Sequence, residues 1–304
     1  MDQTTTRTSR PVNLLIVAAW GLTLIASLLP EILFQELSAS VPSWLYWVKL
    51  GIFVGLLLAS LVWKRLNPLR LFAAVILAVW VLGYGIEQFY RSIDYVAWLR
   101  GSSNFVQSVG SVQIPRITEA ILLVLVLLFL TRNRGRFFLA KGKLDAKAAP
   151  IPLIMTRPSS WKILGPAIAG AMMLGLAVFT FAFGSVPSIQ MLKGMLPLLP
   201  FVLIFALTNS FGEEMLYRAS WLGALENPVG AMHALLMTSV YFGIAHFYGV
   251  PYGILGVVMS FIPGWLMGKS MIETRGIAWA WFIHFWMDVV IFIFIALGSV
   301  TPGG

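Results

Sequence analysis

The chain contains no cysteine. Disulfides, thiolate nucleophiles and thiolate metal ligands are therefore excluded, and the redox state of the compartment leaves no trace in the sequence. Charge is also scarce. Only 11% of the 304 residues are Asp, Glu, Lys or Arg, whereas a soluble domain covers its surface with about a quarter. Histidine occurs three times, so imidazole chemistry has few places to reside. What the chain does have is apolar sequence, 59% of it, in long unbroken runs. A bilayer offers the backbone no hydrogen-bond partners, so a spanning chain must be helical or form a closed barrel. Runs of this length, rather than alternating segments of roughly 10 residues, select helices. The fold expected is all-α, a polytopic transmembrane helical bundle of about 8–9 membrane helices.

The net charge is +9. Lys and Arg fall mostly in connections between apolar runs, as the positive-inside rule requires. That placement excludes nucleic acid as a partner and leaves the lipid bilayer. Helices are expected at 12–29, 44–63, 71–90, 117–131, 161–183, 198–226, 232–247, 252–271 and 277–297. The first is expected to end near Pro30, with Glu31 and Glu36 in the loop beyond it. Lys49, one to two turns into the second helix, is expected to snorkel to the interface. Residues 91–116 form the longest polar segment, with Gly101-Ser-Ser-Asn104 at its middle. Pro263-Gly264 is expected to kink the eighth helix, because proline removes a donor and clashes one turn back. Were that helix partly re-entrant, the spans would number eight.

Residues 132–147 carry six basic side chains against Asp145. With the prolines that follow, they read as a cytoplasmic linker between a four-helix membrane region at 1–150 and a second membrane domain at 151–304. The basic tail with Arg7 and Arg10, the acidic first connection and the basic later ones place the N-terminus in the cytoplasm. The compartment expected is a bacterial cytoplasmic membrane.

The stretch Ser210-Phe-Gly-Glu-Glu-Met-Leu-Tyr-Arg-Ala219 puts ionisable groups at the end of an apolar run. Ionisable residues at membrane depth are costly and point to a function. Residues four apart share a helix face. Glu214 therefore aligns with Arg218, Glu213 with Tyr217, Phe242 with His246, and His284 with Asp288. Adjacent Glu213 and Glu214 diverge by roughly 100°. Glu214 can pair with Arg218 while Glu213 faces a cavity. At ~1.5 Å per residue, Glu213, His246 and His284 stand about 18, 24 and 10 Å from their inner helix ends. All three lie inside a ~30 Å hydrocarbon core, so one cluster is permitted. His233, near a helix start, reads as a packed or wet interfacial residue.

Glu213-Glu214-x-x-x-Arg218, then Phe242-x-x-x-His246, then His284-x-x-x-Asp288 resembles the three-motif signature of the CPBP intramembrane proteases. This family includes the CAAX prenyl endopeptidases and the bacteriocin-processing and abortive-infection proteins. The resemblance covers roughly residues 161–297. It implies hydrolysis of a peptide bond in a membrane-associated or lipidated, even prenylated, polypeptide. It assigns Glu213 as the base that activates water and His246 as a residue that holds or polarises that water. His284 and Asp288 would line the oxyanion side. Glu214 and Arg218 would be a structural pair, with Phe242 and Tyr217 supporting. The prenyl-endopeptidase subgroup resembles His-x-x-x-Asn at the last motif, where this chain has Asp288. An amide donates to an oxyanion and an ionised carboxylate does not. Asp288 could instead orient His284, be protonated, or ligate a metal. Two His and a carboxylate (Glu213, His246 and His284) could also hold a divalent metal such as zinc. His-Glu-x-x-His is absent, so metal-free activation of water by Glu213 is the leading expectation.

Two other classes use the same residues. A non-catalytic scaffold or chaperone would keep the cluster as a structural network. A proton-coupled transporter would spread ionisable groups across the full depth of the membrane. Here the first half offers Lys49, Glu87 and Glu119, each near a helix end, and no repeat relates the halves.

Overall fold

A computed structural model describes residues 14–151, 155–183 and 186–300. The tail carrying Arg7 and Arg10, and Pro152 of the linker, lie outside the described residues. Every apolar run is helical. Seven helices are long and apolar enough to cross a membrane, and a bent pair makes up to eight. The further apolar helix α11 (Ala231–Ala245) has 15 residues, about 22 Å at ~1.5 Å per residue.

The bent pair is α1 (Leu14–Ala26) and α2 (Leu29–Ser38), set at 53°. Pro30 opens α2 instead of ending α1. In the first turn its missing N–H removes no helix bond. Glu31 and Glu36 consequently sit on a helix and not in a loop. This changes Lys49, on α3 (Leu45–Val62). It does not reach the interface but is buried, its Nζ donating to Glu31 at 2.7 Å and to the Ser27 carbonyl at 2.8 Å. A charge-assisted bond inside the bundle outcompetes a long reach to water. Lys49→Met should cost about 2 kcal/mol, between the ~0–1 of an exposed pair and the ~3–5 of a buried one. Thermal unfolding in detergent reads this, and a Glu31→Gln/Lys49→Met double variant should recover most of it.

α4 (Arg70–Arg91) and α5 (Asp94–Arg100) precede α6 (Phe105–Thr131). α6 starts twelve residues before the expected 117. Asn104 caps it, its Oδ1 accepting from the Val106 and Gln107 amides at 3.0 and 3.2 Å. The polar segment is therefore mostly helix, with Gln113 buried and the exposed Arg116 reaching back to Asn209. Glu87 of α4 pairs with Arg91 at 2.6 Å and Arg100 at 2.9 Å, closing the turn between α4 and α5.

The basic segment is fastened to the C-terminal half. Phe137 and Phe138 are fully buried. The Lys143 amide donates to the Thr274 carbonyl at 2.8 Å, and the Ile277 amide to the Ala140 carbonyl at 2.9 Å. Two-residue strands β1 (Lys147–Ala148) and β2 (Ser159–Ser160) pair antiparallel. Then come α7 (Trp161–Phe183) and a continuous 41-residue stretch, 189–229. It comprises α8 (Ile189–Met195), a 3₁₀ turn (Leu196–Leu198), α9 (Leu199–Glu213), a π-helical turn (Glu214–Ala219) and α10 (Ser220–Val229). α12 (Ile254–Thr274) runs through Pro263 as one full-length span, and α13 (Ala278–Ser299) packs against α7 and α9. One hydrophobic core joins residues from both sides of the basic segment, among them Phe53, Phe72, Leu123, Trp161, Trp221 and Ile283.

Candidate active site

α9 loses its regular turn at Glu213. The next six residues widen into a π-helix, a feature common where a helix positions functional groups. The widened turn lets both adjacent carboxylates meet one imidazole. Glu214 Oε1 accepts from His284 Nδ1 at 2.7 Å, while Glu213 Oε2 lies 3.5 Å from His284 Nε2. Glu214 also pairs with Arg218, and both are fully buried. The Arg218 guanidinium stacks over the Phe242 ring at 4.0 Å, a contact worth about 2 kcal/mol when desolvated. The pairing expected from spacing is therefore present, and Glu214 does more than pair with Arg218, since it also fixes the orientation of His284.

Asp288 lies one turn beyond His284, its Oδ1 3.6 Å from His284 Nε2. That is an ion-pair distance and too long for a hydrogen bond. Phe242 and His246 lie on the short helix α11, whose last turn ends at His246. His246 Nδ1 donates to the Phe242 carbonyl at 2.8 Å. A carbonyl only accepts, so the proton is on Nδ1 and the neutral ring offers Nε2 as acceptor. Phe242 touches both histidines, with centroids 4.4 Å from His246 and 6.1 Å from His284, and Tyr217 packs edge-on to it at 5.5 Å. The irregular backbone after His246 lies against the site. Such backbone is tolerated at membrane depth where it lines a cavity. Gly256 lets α12 start against it, since a Cβ there would stand 2.9 Å from the His246 carbonyl oxygen.

Three further residues belong to the cluster. Asn209 Nδ2 donates to Asp288 Oδ2 at 3.0 Å and to Glu213 Oε1 at 3.2 Å. Its Oδ1 in turn accepts from Gln113 Nε2 at 3.1 Å and Arg116 Nη1 at 3.0 Å. Asn209 is four residues before Glu213, so the same-face rule places it here from sequence. Gln113 and Arg116 lie in the polar segment ahead of the expected helix start, and only the earlier start of α6 brings them in. Asn209→Asp would set a third carboxylate between Glu213 and Asp288. A kcat loss of about 10- to 100-fold is expected, the equivalent of ~1–3 kcal/mol for buried groups left unpaired. A KM near that of wild type would separate this from a binding defect.

Most of these groups face a cavity of about 860 Å³, while Glu214, Tyr217 and Arg218 lie outside its lining. Glu213, His246, His284 and Asp288 line its polar end. Met172, Leu176, Met259 and Ile295 line the remainder. A catalytic zinc takes three protein ligands and an open position. Among the described residues no group of three or more His, Asp or Glu is arranged to hold a metal ion. Glu213, His246 and His284 thus line one cavity without forming a ligand set.

Residues 195–290 match the family model described as Type II CAAX prenyl endopeptidase Rce1-like. The match covers just under a third of the chain. The Rce1-like segment holds the residues of all three motifs and Asn209, and it leaves out Gln113 and Arg116. The family is one of proteases, and the spans around the segment make the chain an integral membrane protein. No curated protein and no solved structure matches the chain.

Proposed function

We propose that the chain is an intramembrane endopeptidase in which Glu213 activates water against a peptide bond of a membrane-associated or lipidated polypeptide. The observation that carries this reading is the placement of Glu213 beside His284 at one end of a large, mostly apolar cavity. A peptide carbonyl can rest at the polar end while an apolar chain occupies the rest.

The reaction follows from the donor and acceptor inventory. Glu213 takes a proton from water as the oxygen attacks the scissile carbonyl carbon. His246 Nε2 accepts a hydrogen bond from that water and orients it. His284 Nε2 donates to the carbonyl oxygen as it gains charge. The C–N bond breaks, Glu213 passes its proton to the leaving amine, and a carboxylate and an amine result. Asn209 and Asp288 hold Glu213 and His284 in register. Glu214 and Arg218 act through His284 and Phe242 and touch no substrate. We assign residues 151–304 as the protease domain and 1–150 as an accessory membrane region that completes the site through α6. The setting we propose is a bacterial cytoplasmic membrane, with the N-terminus in the cytoplasm.

Comparing the membrane proteome of cells carrying wild type or Glu213→Gln tests the reading. A polypeptide cut only with wild type supports it. If Glu213→Ala and His284→Ala merely unfold, the cluster is a scaffold's structural network.

A further inference from the structure

The family match leaves out α4, α5 and α6, and the proposed chemistry uses only Gln113 and Arg116 from them. Within α6 one ionisable group remains without a role. Glu119 lies in the middle of α6, inside a membrane span. Its carboxylate hydrogen-bonds to no described residue. It reaches across to α4 at Gly83, where a Cβ would come within 2.9 Å of Oε1. An ionisable group at membrane depth with no hydrogen-bond donor is costly, and water that reaches it lowers that cost.

There is space for that water. A chamber of about 340 Å³ lies between Glu87, Arg100, Arg116 and Glu119. A second, of about 180 Å³, lies between Arg116, Glu119, Tyr217 and Glu213. The two share Arg116 and Glu119, and the second ends on the carboxylate assigned to activate water. At the other end, Glu87 and its partner Arg91 stand at the C-terminal end of α4, where Arg91 is exposed. Charged groups therefore mark a path from the end of α4 to Glu213. The large cavity reaches Glu213 from between α7, α12 and α13, and it meets the first chamber at Arg100, Val112 and Arg116 of α5 and α6.

We propose that α4, α5 and α6 enclose a water entrance to Glu213, on the side away from the apolar part of the large cavity, between α7, α12 and α13, that takes the substrate. This rests on the protease reading and deepens it. Hydrolysis consumes one water per bond cut, and an apolar chain filling the large cavity would displace the water there. A second route keeps Glu213 hydrated while the substrate is seated. Arg116 stands where the three spaces meet, and Glu119 makes the middle of the path polar.

The absence of cysteine makes the test clean, since a single introduced thiol is the only one present. Val79 lines the smaller chamber, Ile86 the larger, and Ile121 is 52% exposed on the outer surface of α6. Each is changed to Cys in the full-length protein, reconstituted in phosphatidylcholine vesicles. Reaction with silver ions is followed as loss of titratable thiol. Thiolates react and form only where water reaches, so Val79→Cys and Ile86→Cys should react about 100-fold faster than Ile121→Cys. Rates equal to that of Ile121→Cys overturn the entrance, whatever the protein's activity. Next, Ile86→Cys is modified with methanethiosulfonate ethyltrimethylammonium, and the adduct serves as a plug in an already folded protein. Cleavage should show a kcat about 10-fold lower at unchanged KM, with the unmodified variant and a treated Ile121→Cys control unaffected. Full activity of the plugged protein overturns the supply role even if the chambers are wet. Wild-type cleavage by Glu213→Gln would instead remove the role of Glu213 in the protease reading and leave the labelling result standing.

Discussion

Glu213→Gln should lower peptide cleavage by about 10²- to 10⁴-fold, the contribution of a positioned general base. The amide keeps the shape of the carboxylate, and its oxygen can still accept from Asn209 Nδ2, which lies 3.2 Å from Glu213 Oε1. It cannot take a proton from water. The variant should therefore insert, fold and bind substrate, so the loss falls on kcat and leaves KM nearly unchanged. A rise in KM at constant kcat would mean that Glu213 only binds. Initial rates on a peptide identified from the membrane-proteome comparison give both quantities.

Arg218→Met should be the most destabilising single change, costing about 3–5 kcal/mol, because it strands a buried carboxylate. Glu214 and Arg218 are both fully buried, and the guanidinium also covers the Phe242 ring. Replacing both partners with apolar groups removes the stranded charge, so Glu214→Leu/Arg218→Met should recover most of the lost stability. It should not recover activity, since Glu214 holds His284 Nδ1 at 2.7 Å. Denaturation in detergent micelles measures the first effect and cleavage the second. A single variant within about 0.5 kcal/mol of wild type would show that the pair is not a structural anchor.

The helical bundle is legible in the sequence because a membrane leaves the backbone no other solution, and long apolar runs are hard to mistake. The Glu214–Arg218, Phe242–His246 and His284–Asp288 pairs are legible because helix periodicity is rigid over one turn. The departures share one physical cause, which is that polarity in a sequence resembles a break between helices. Residues 105–116 carry Gln107, Ser108, Ser111, Gln113 and Arg116, yet they are helix, capped by Asn104. In a membrane protein a polar helix face marks an internal cavity as readily as an exposed segment. Pro30 misleads in the same way, since it looks like a stop and sits in a first turn. The burial of Lys49 follows from that turn, because α2 carries its partner Glu31. The double contact of Glu213 and Glu214 with His284 has no sequence signal. It depends on the π-helical turn, and α-helical geometry would send the two side chains about 100° apart.

The central claim is that Glu213 activates a water that attacks the peptide carbonyl directly. A single-turnover cleavage in H₂¹⁸O tests it, with the purified protein in excess over the peptide and the new C-terminus read by mass spectrometry. Direct attack by water predicts one ¹⁸O in the product carboxylate in the first turnover, and product formed about 10²- to 10⁴-fold more slowly with Glu213→Gln. Product carrying only ¹⁶O in that turnover would mean that the Glu213 carboxylate itself had attacked the carbonyl, and cleavage by Glu213→Gln at the wild-type rate would contradict any role for it.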